Sequence, residues 1–131
     1  MIRYIKVLNK GEINEALDLV CKVFKEYKAS YYTPDGIEEF YKSINDTNYL
    51  SMLYILGAYK DDNLVGIIAT RNKGSHIALF FVNGKYHRQG IGRKLFNAML
   101  ENNHYSKITV NSSLYAVDVY HKLGFYDVFM I

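Results

Sequence analysis

Tyr86-His87-Arg88-Gln89-Gly90-Ile91-Gly92-Arg93-Lys94-Leu95 sets a glycine pair among cationic and amide side chains, just after the apolar run His76–Val82 and ahead of residues with helical spacing. That order suits the binding of an anion. The first N–H groups of a helix have no partner within it, and the helix dipole favours negative charge at that end. Gly90 and Gly92 carry no side chain to hold a phosphate away from those groups. Arg88, Arg93 and Lys94 add donors round the same turn, so the pyrophosphate of a nucleotide cofactor is the expected guest. A dinucleotide fingerprint needs a third glycine, and Leu95 stands in its place. The P-loop pattern G-x-x-x-x-G-K-[ST] is absent as well.

A second stretch follows, Asn111-Ser112-Ser113-Leu114-Tyr115-Ala116-Val117-Asp118-Val119-Tyr120-His121-Lys122-Leu123-Gly124-Phe125. The two together resemble motifs A and B of the GCN5-related N-acetyltransferases (GNAT). The first is similar to that family's [Q/R]-x-x-G-x-[G/A] acyl-CoA signature, with His87 where Gln or Arg is usual. The second is similar to its A-x-x-x-Y-x-x-x-G-F ending. The resemblance covers roughly residues 76 to 125 in detail and the earlier part in element order.

The resemblance implies an acetyl-CoA-dependent N-acetyltransferase acting on a primary amine of a small molecule or protein. It also admits a catalytically silent CoA-binding sensor or regulatory domain. Cofactor contacts would then fall on Phe81, Val82, His87, Arg88, Gln89, Gly90, Ile91, Gly92, Arg93 and Asn111. Phe81 and Val82 would pair with the pantetheine arm as an added strand does, and the Val82 N–H would meet the charge developing on the thioester oxygen. Tyr120 stands where the family places its general acid; a phenol of pKa near ~10 keeps its proton at neutral pH. A lysine-like amine must lose a proton before attack, and His76 falls where histone-type members carry a glutamate base. Its ordinary pKa of ~6.5 suits that task, with Glu38 and Glu39 as competitors. The tyrosines Tyr27, Tyr31, Tyr32 and Tyr41 fall where the family shapes its acceptor pocket.

The elements that must hold these groups are legible as periodicities. Arg3 to Val7 reads as a strand. Asn9 followed by Glu12 has capping-box spacing, and Ile13, Leu17, Val20, Phe24 and Tyr27 share one helical face. Thr33-Pro34 opens a second helix as cap and first residue, with Ile37, Phe40, Tyr41 and Ile44 inward and Asn45–Asn48 as its end. Met52–Tyr59 and Leu64–Arg71 form a hairpin across Lys60-Asp61-Asp62-Asn63. Asn72–Ser75 leads to the strand His76–Val82. A long helix begins near Gln89 and turns Ile91, Leu95 and Met99 inward. Lys107–Val110 is a short strand, Leu114–Leu123 a helix closed by Gly124, and Tyr126–Ile131 a last strand. The expected fold class is therefore α/β (α+β), a single domain over residues 1–131. The resemblance makes it a mixed, mostly antiparallel, splayed sheet of order β-α-α-β-β-β-α-β-α-β, without the last of the usual seven strands. An edge left open on that side would invite a homodimer.

Composition bounds the remaining classes. The 131 residues are 50% hydrophobic and 22% charged, which is globular rather than disordered. No apolar run nears the ~20 residues of a membrane span. A net charge of +3 without a basic stripe argues against nucleic acid. His87, His104 and His121 lack zinc-site spacing, so no metal is expected. The lone Cys21 reads as a structural thiol and fits a reducing cytoplasm.

Overall fold

The computed structural model describes residues 4–7, 9–28, 30, 32–71, 74–87, 89–101, 107–110 and 117–126. Five strands, β1 (Tyr4–Val7), β2 (Tyr54–Lys60), β3 (Asn63–Arg71), β4 (His76–Val82) and β5 (Thr109–Val110), form one sheet in chain order. The first three pairings are antiparallel, and β4–β5 is parallel. Helices α1 (Ile13–Val23), α2 (Pro34–Ile44) and α3 (Thr47–Ser51) precede β2, α4 (Ile91–Glu101) joins β4 to β5, and α5 (Val117–Lys122) follows. The element order expected from the sequence holds through α5 apart from the added helix α3. The expected strand Tyr126–Ile131, and the edge and dimer read from it, fall almost wholly outside the described residues.

Local chemistry sets most boundaries. Before α1, the Glu12 carboxylate accepts from the Asn9 N–H at 3.0 Å, the returning half of a capping box. The Thr33 hydroxyl accepts from the Gly36 N–H at 3.0 Å, with Pro34 in the first turn of α2. Asp61 and Asp62 take φ of 51° and 63° between the paired residues Lys60 and Asn63. Two left-handed residues in a two-residue loop make the type I′ turn whose twist suits a hairpin. The segment Asn45–Asn48 does more than end α2. Asp46 accepts from the N–H groups of Asn48 and Tyr49 and so starts α3, a short helix that apolar periodicity could not reveal in five residues.

Two layers cover the sheet. On one face α1 and α2 bury Ala16, Leu19, Val20, Val23, Phe24 and Ile44 against Ile55, Ile67, Leu79 and Phe81. The buried stripe of α1 is turned from the expected one, with Ile13 and Leu17 at its margin. On the other face α4 sets Ile91, Leu95, Phe96 and Met99 on Leu56, Val65, Ile68 and Ile77. Such burial, at ~25 cal/mol per Å² of apolar surface, is the main favourable term holding the layers together. Gly66 permits the close approach of α4, since a Cβ there would lie 3.0 Å from Leu95 Cδ1 and 3.2 Å from Ile91 Cγ2.

Two bulges adjust the pleat. The register against β2 passes from Gly66 to Leu64, leaving Val65 extra; that of β4 against β3 passes from Leu79 to Ile77, leaving Ala78 extra. An extra residue shifts the alternation of side chains. Ile77 thus joins the α4 layer while Leu79 and Phe81 face α1 and α2. His76 and its partner Arg71 consequently fall on the α1–α2 face.

Candidate active site

β4 pairs with β5 at His76↔Thr109 and Ile77↔Val110. Beyond Val110 the chain leaves the described residues, so the described ladder covers only the His76 end of β4. Which groups β4 turns to this side nearer Val82 follows from its register. The Asn83 N–H donates to the Val65 carbonyl at 2.8 Å, flanking the Gly66↔Val82 pair. That marks a non-hydrogen-bonded pair, whose own backbone groups point away from the partner strand. The N–H and C=O of Val82 therefore point away from β3, and those of Phe80 by the same alternation. His87 confirms the direction, its Nε2 lying 2.8 Å from the Val82 carbonyl oxygen. Phe81 has the opposite orientation. Its backbone pairs with Ile67 and its ring is buried 6.1 Å from that of Phe40.

The glycine pair follows at the start of α4. Gly90 has φ +80°, a left-handed conformation that glycine adopts without strain, with nothing within 4 Å of where a Cβ would be. Its carbonyl accepts from the Lys94 N–H at 3.0 Å, so the N–H groups of Ile91, Gly92 and Arg93 form the uncapped first turn. A Cβ on Gly92 would lie 3.6 Å from Phe80 Cζ and 3.8 Å from Val82 Cγ2. The helix start is thus packed against the Val82 end of β4. Ile91 is buried in the core, and Gln89 is exposed.

Tyr120 is held by the end of α5. Gly124, at φ +103°, donates to the His121 carbonyl at 3.0 Å, and Phe125 N–H donates to the Tyr120 carbonyl at 3.0 Å. These are the two bonds of a Schellman motif, which usually adds an apolar contact between the residues it joins. Here that contact is the Phe125 ring edge-on to Tyr120 at 5.5 Å. The Gly-Phe pair of the second motif therefore fixes the tyrosine four residues before its glycine. Arg93 Nη2 donates to the Lys122 carbonyl at 3.2 Å, capping α5 and tying it to α4. Tyr120 also packs 6.1 Å from Phe80, near the Val82 end of β4. Burial pushes its phenol well above the ordinary value, and Tyr32 adds to the shift. Tyr32 itself packs edge-on to Phe24 at 5.1 Å, so the two phenols approach from opposite layers.

At the other end of β4, His76 Nδ1 lies 2.7 Å from Thr109 Oγ1. Partial burial, with the Arg71 guanidinium opposite, holds the imidazole below its ordinary value. Glu38 and Glu39 are exposed on α2. Arg88, Tyr31 and Asn111 lie outside the described residues, as does the side chain of Tyr27. The structure brings together Phe80, Val82, His87, Gly90, Gly92, Arg93 and Tyr120, with Tyr32 near Tyr120, and leaves His76 apart at the far end of the strand. Phe80, Gly66 and Arg71 were missed in the sequence because they carry no motif and gain their places from strand register.

The Cys21 thiol is half-buried, and burial and then Asp18 push it up, away from the reactive thiolate. No group of three metal-ligating side chains occurs among the described residues. Among them, too, no helix is long and apolar enough to cross a membrane.

Comparison with known proteins adds the family. A search of curated proteins finds no significant match. Among solved structures, the fold is similar to a GCN5-related N-acetyltransferase from Rhodopseudomonas palustris, with TM-score 0.78 and 18% identity over 92% of this chain and 79% of that one. It is similar to a ribosomal-protein-alanine N-acetyltransferase from Brucella melitensis biovar Abortus 2308, with TM-score 0.67 and 19% identity over 98% and 96% of the two chains. AAC(6')-Iy, solved with the bisubstrate analogue CoA-S-monomethyl-acetylneamine, gives TM-score 0.65 and 14% identity over 98% and 93%. The family model described as acetyltransferase (GNAT) domain matches residues 28–128. With that match spanning most of the fold just described, the chain belongs to the GNAT acetyltransferase family.

Proposed function

We propose that this protein transfers an acetyl group from acetyl-CoA to a primary amine. The observation that carries the reading is the Val82 end of β4, where the outward backbone of Val82, the ring of Phe80, the glycine-built start of α4 and the buried Tyr120 converge. A pantetheine arm is an amide chain and pairs with such an edge as an extra strand. The pyrophosphate then meets the first turn of α4. Arg88, Gln89 and Asn111 complete the cofactor contacts in this reading.

In this reading the Val82 N–H meets the thioester oxygen as charge develops on it. The amine nitrogen attacks the carbonyl carbon, the C–S bond breaks, and the sulfur leaves with the electron pair. Tyr120 donates a hydrogen bond and then its proton to that sulfur. Its raised pKa keeps it protonated throughout the working range, so transfer accompanies C–S cleavage rather than preceding it. The amine's proton passes toward His76, which is neutral near pH 7 and able to accept it.

The test is release of free thiol from acetyl-CoA with a panel of amines, alongside calorimetric titration of CoA. Thiol release that depends on both amine and Tyr120 is the expected result. Tight CoA binding without turnover on any amine would instead favour a sensor or regulatory domain. Residence in the cytoplasm, without membrane or nucleic-acid partners, belongs to the same reading.

A further inference from the structure

Arg71 ends β3 directly opposite His76, on the face covered by α1 and α2. It is partly buried, and its Nε is buried without a hydrogen-bond partner. Among the described residues no carboxylate pairs with it. A buried donor left unsatisfied costs about 1–3 kcal/mol, more when the group is charged, so a cation in this state marks a place where an anion from outside completes the site. The groups around it are suited to that. His76 lies on the neighbouring strand with Thr109 beyond it at 2.7 Å. Tyr49 of α3 is half-buried; burial raises its phenol, while the Arg71 charge acts on it in the opposite sense, which places the two in electrostatic reach. The nearest acidic side chain on α3, Asp46, is committed to the N–H groups of Asn48 and Tyr49. The cluster therefore presents a guanidinium, a phenol, an imidazole and a hydroxyl, with no competing negative charge among these described groups.

We propose that Arg71 binds a carboxylate of the acceptor, so that the preferred substrate is an amine that also carries a carboxylate, of the amino-acid class. This rests on the acetyl-transfer reading above and narrows it. The guanidinium fork matches a carboxylate in two parallel hydrogen bonds. The position explains the separation of the two ends of β4. A carboxylate at Arg71 lies beside His76, and the amine of an amino acid extends from there along β4 toward the thioester. Anchoring by a group remote from the reacting atoms is an ordinary route to orientation.

Two measurements test it. In steady-state kinetics, amino acids are compared with their carboxamides as acceptors, in the wild type and in Arg71→Gln and Arg71→Lys. Expected is a KM for the acid at least tenfold below that of its amide, a difference abolished in Arg71→Gln and partly restored in Arg71→Lys, with CoA affinity unchanged. Equal use of acid and amide, or an equal loss on both in Arg71→Gln, would overturn the carboxylate site while leaving acetyl transfer standing. The second readout needs no turnover. In NMR, the Arg71 Nε–H resonance should shift saturably with succinate and not with succinamide. A shift with inorganic phosphate alone, or with none of the three, would overturn the proposal. Loss of CoA binding and of all thiol release, with the succinate shift retained, would count against the catalytic reading instead.

Discussion

At its Val82 end β4 offers backbone: outward N–H and C=O groups, a first helical turn and two glycines that keep side chains out of the way. At its His76 end the same strand offers side chains: Arg71, His76, Tyr49 and Thr109 gathered from three strands and a helix. Backbone donors are the same in any sequence, so the first end suits a partner of fixed structure such as a cofactor. Side-chain donors differ from one chain to the next, so the second end suits the partner that varies, the acceptor. The two are joined by a strand whose bulge at Ala78 turns His76 and Arg71 toward the α1–α2 layer.

The sharpest way to divide the two ends is to remove one atom from the proposed catalytic centre between them. Tyr120→Phe keeps the ring against Phe80 and Phe125 and deletes the hydroxyl proposed as proton donor. Turnover should fall by about 10²- to 10⁴-fold, the usual weight of a positioned general acid, with CoA affinity unaltered by calorimetry. Equal loss of both would reduce Tyr120 to a packing residue.

The cofactor end breaks at Gly92. Space there is adequate for a methyl group, so Gly92→Ala should be mild, whereas Gly92→Glu adds negative charge to the first turn of α4. CoA affinity should drop at least tenfold, about 1.4 kcal/mol, in a variant with unchanged thermal stability. Unchanged affinity would move the phosphates elsewhere. Gly66→Val asks instead whether close packing of α4 sets the cradle. Its β-carbon would meet Leu95 and Ile91 at 3.0–3.2 Å, and overpacking of this kind costs about 1–3 kcal/mol. Denaturant melts should show that loss. A neutral result would mean that α4 shifts freely on the sheet.

The smallest expected effect lies at the other end. The His76 pKa sits below its ordinary value, mainly through burial. If the neutral ring accepts the amine's proton through water, kcat/KM falls as pH drops through that lowered pKa, and His76→Gln removes this limb. An unchanged acidic limb in the variant would assign the proton to water or to Glu38 or Glu39. The same shift has a stability consequence of definite sign. The unfolded chain binds a proton more readily than the native one, so this contribution is complete above ~6.5 and is lost as pH falls below it.

The sequence by itself determined the elements with local causes. Thr33 and Pro34 begin α2, Asp61-Asp62 turn the hairpin, and β4 runs His76–Val82 as its apolar run predicts, because caps, turns and short-range periodicity act within a few residues. It determined the local geometry of the proposed cofactor end as well, since a glycine pair after a strand and a Tyr-x-x-x-Gly-Phe ending are contiguous patterns with contiguous structural effects. Tertiary structure decided the rest. That Phe80 and Val82, rather than Phe81, turn their backbone groups away from β3 depends on which residue of β3 lies opposite. That α4 rests on Gly66, and that Arg71 faces His76 with Tyr49 beside it, depends on contacts between residues far apart in the chain. Register, bulges and layer packing are set by how all the strands fit together, and no window of neighbouring residues contains that information.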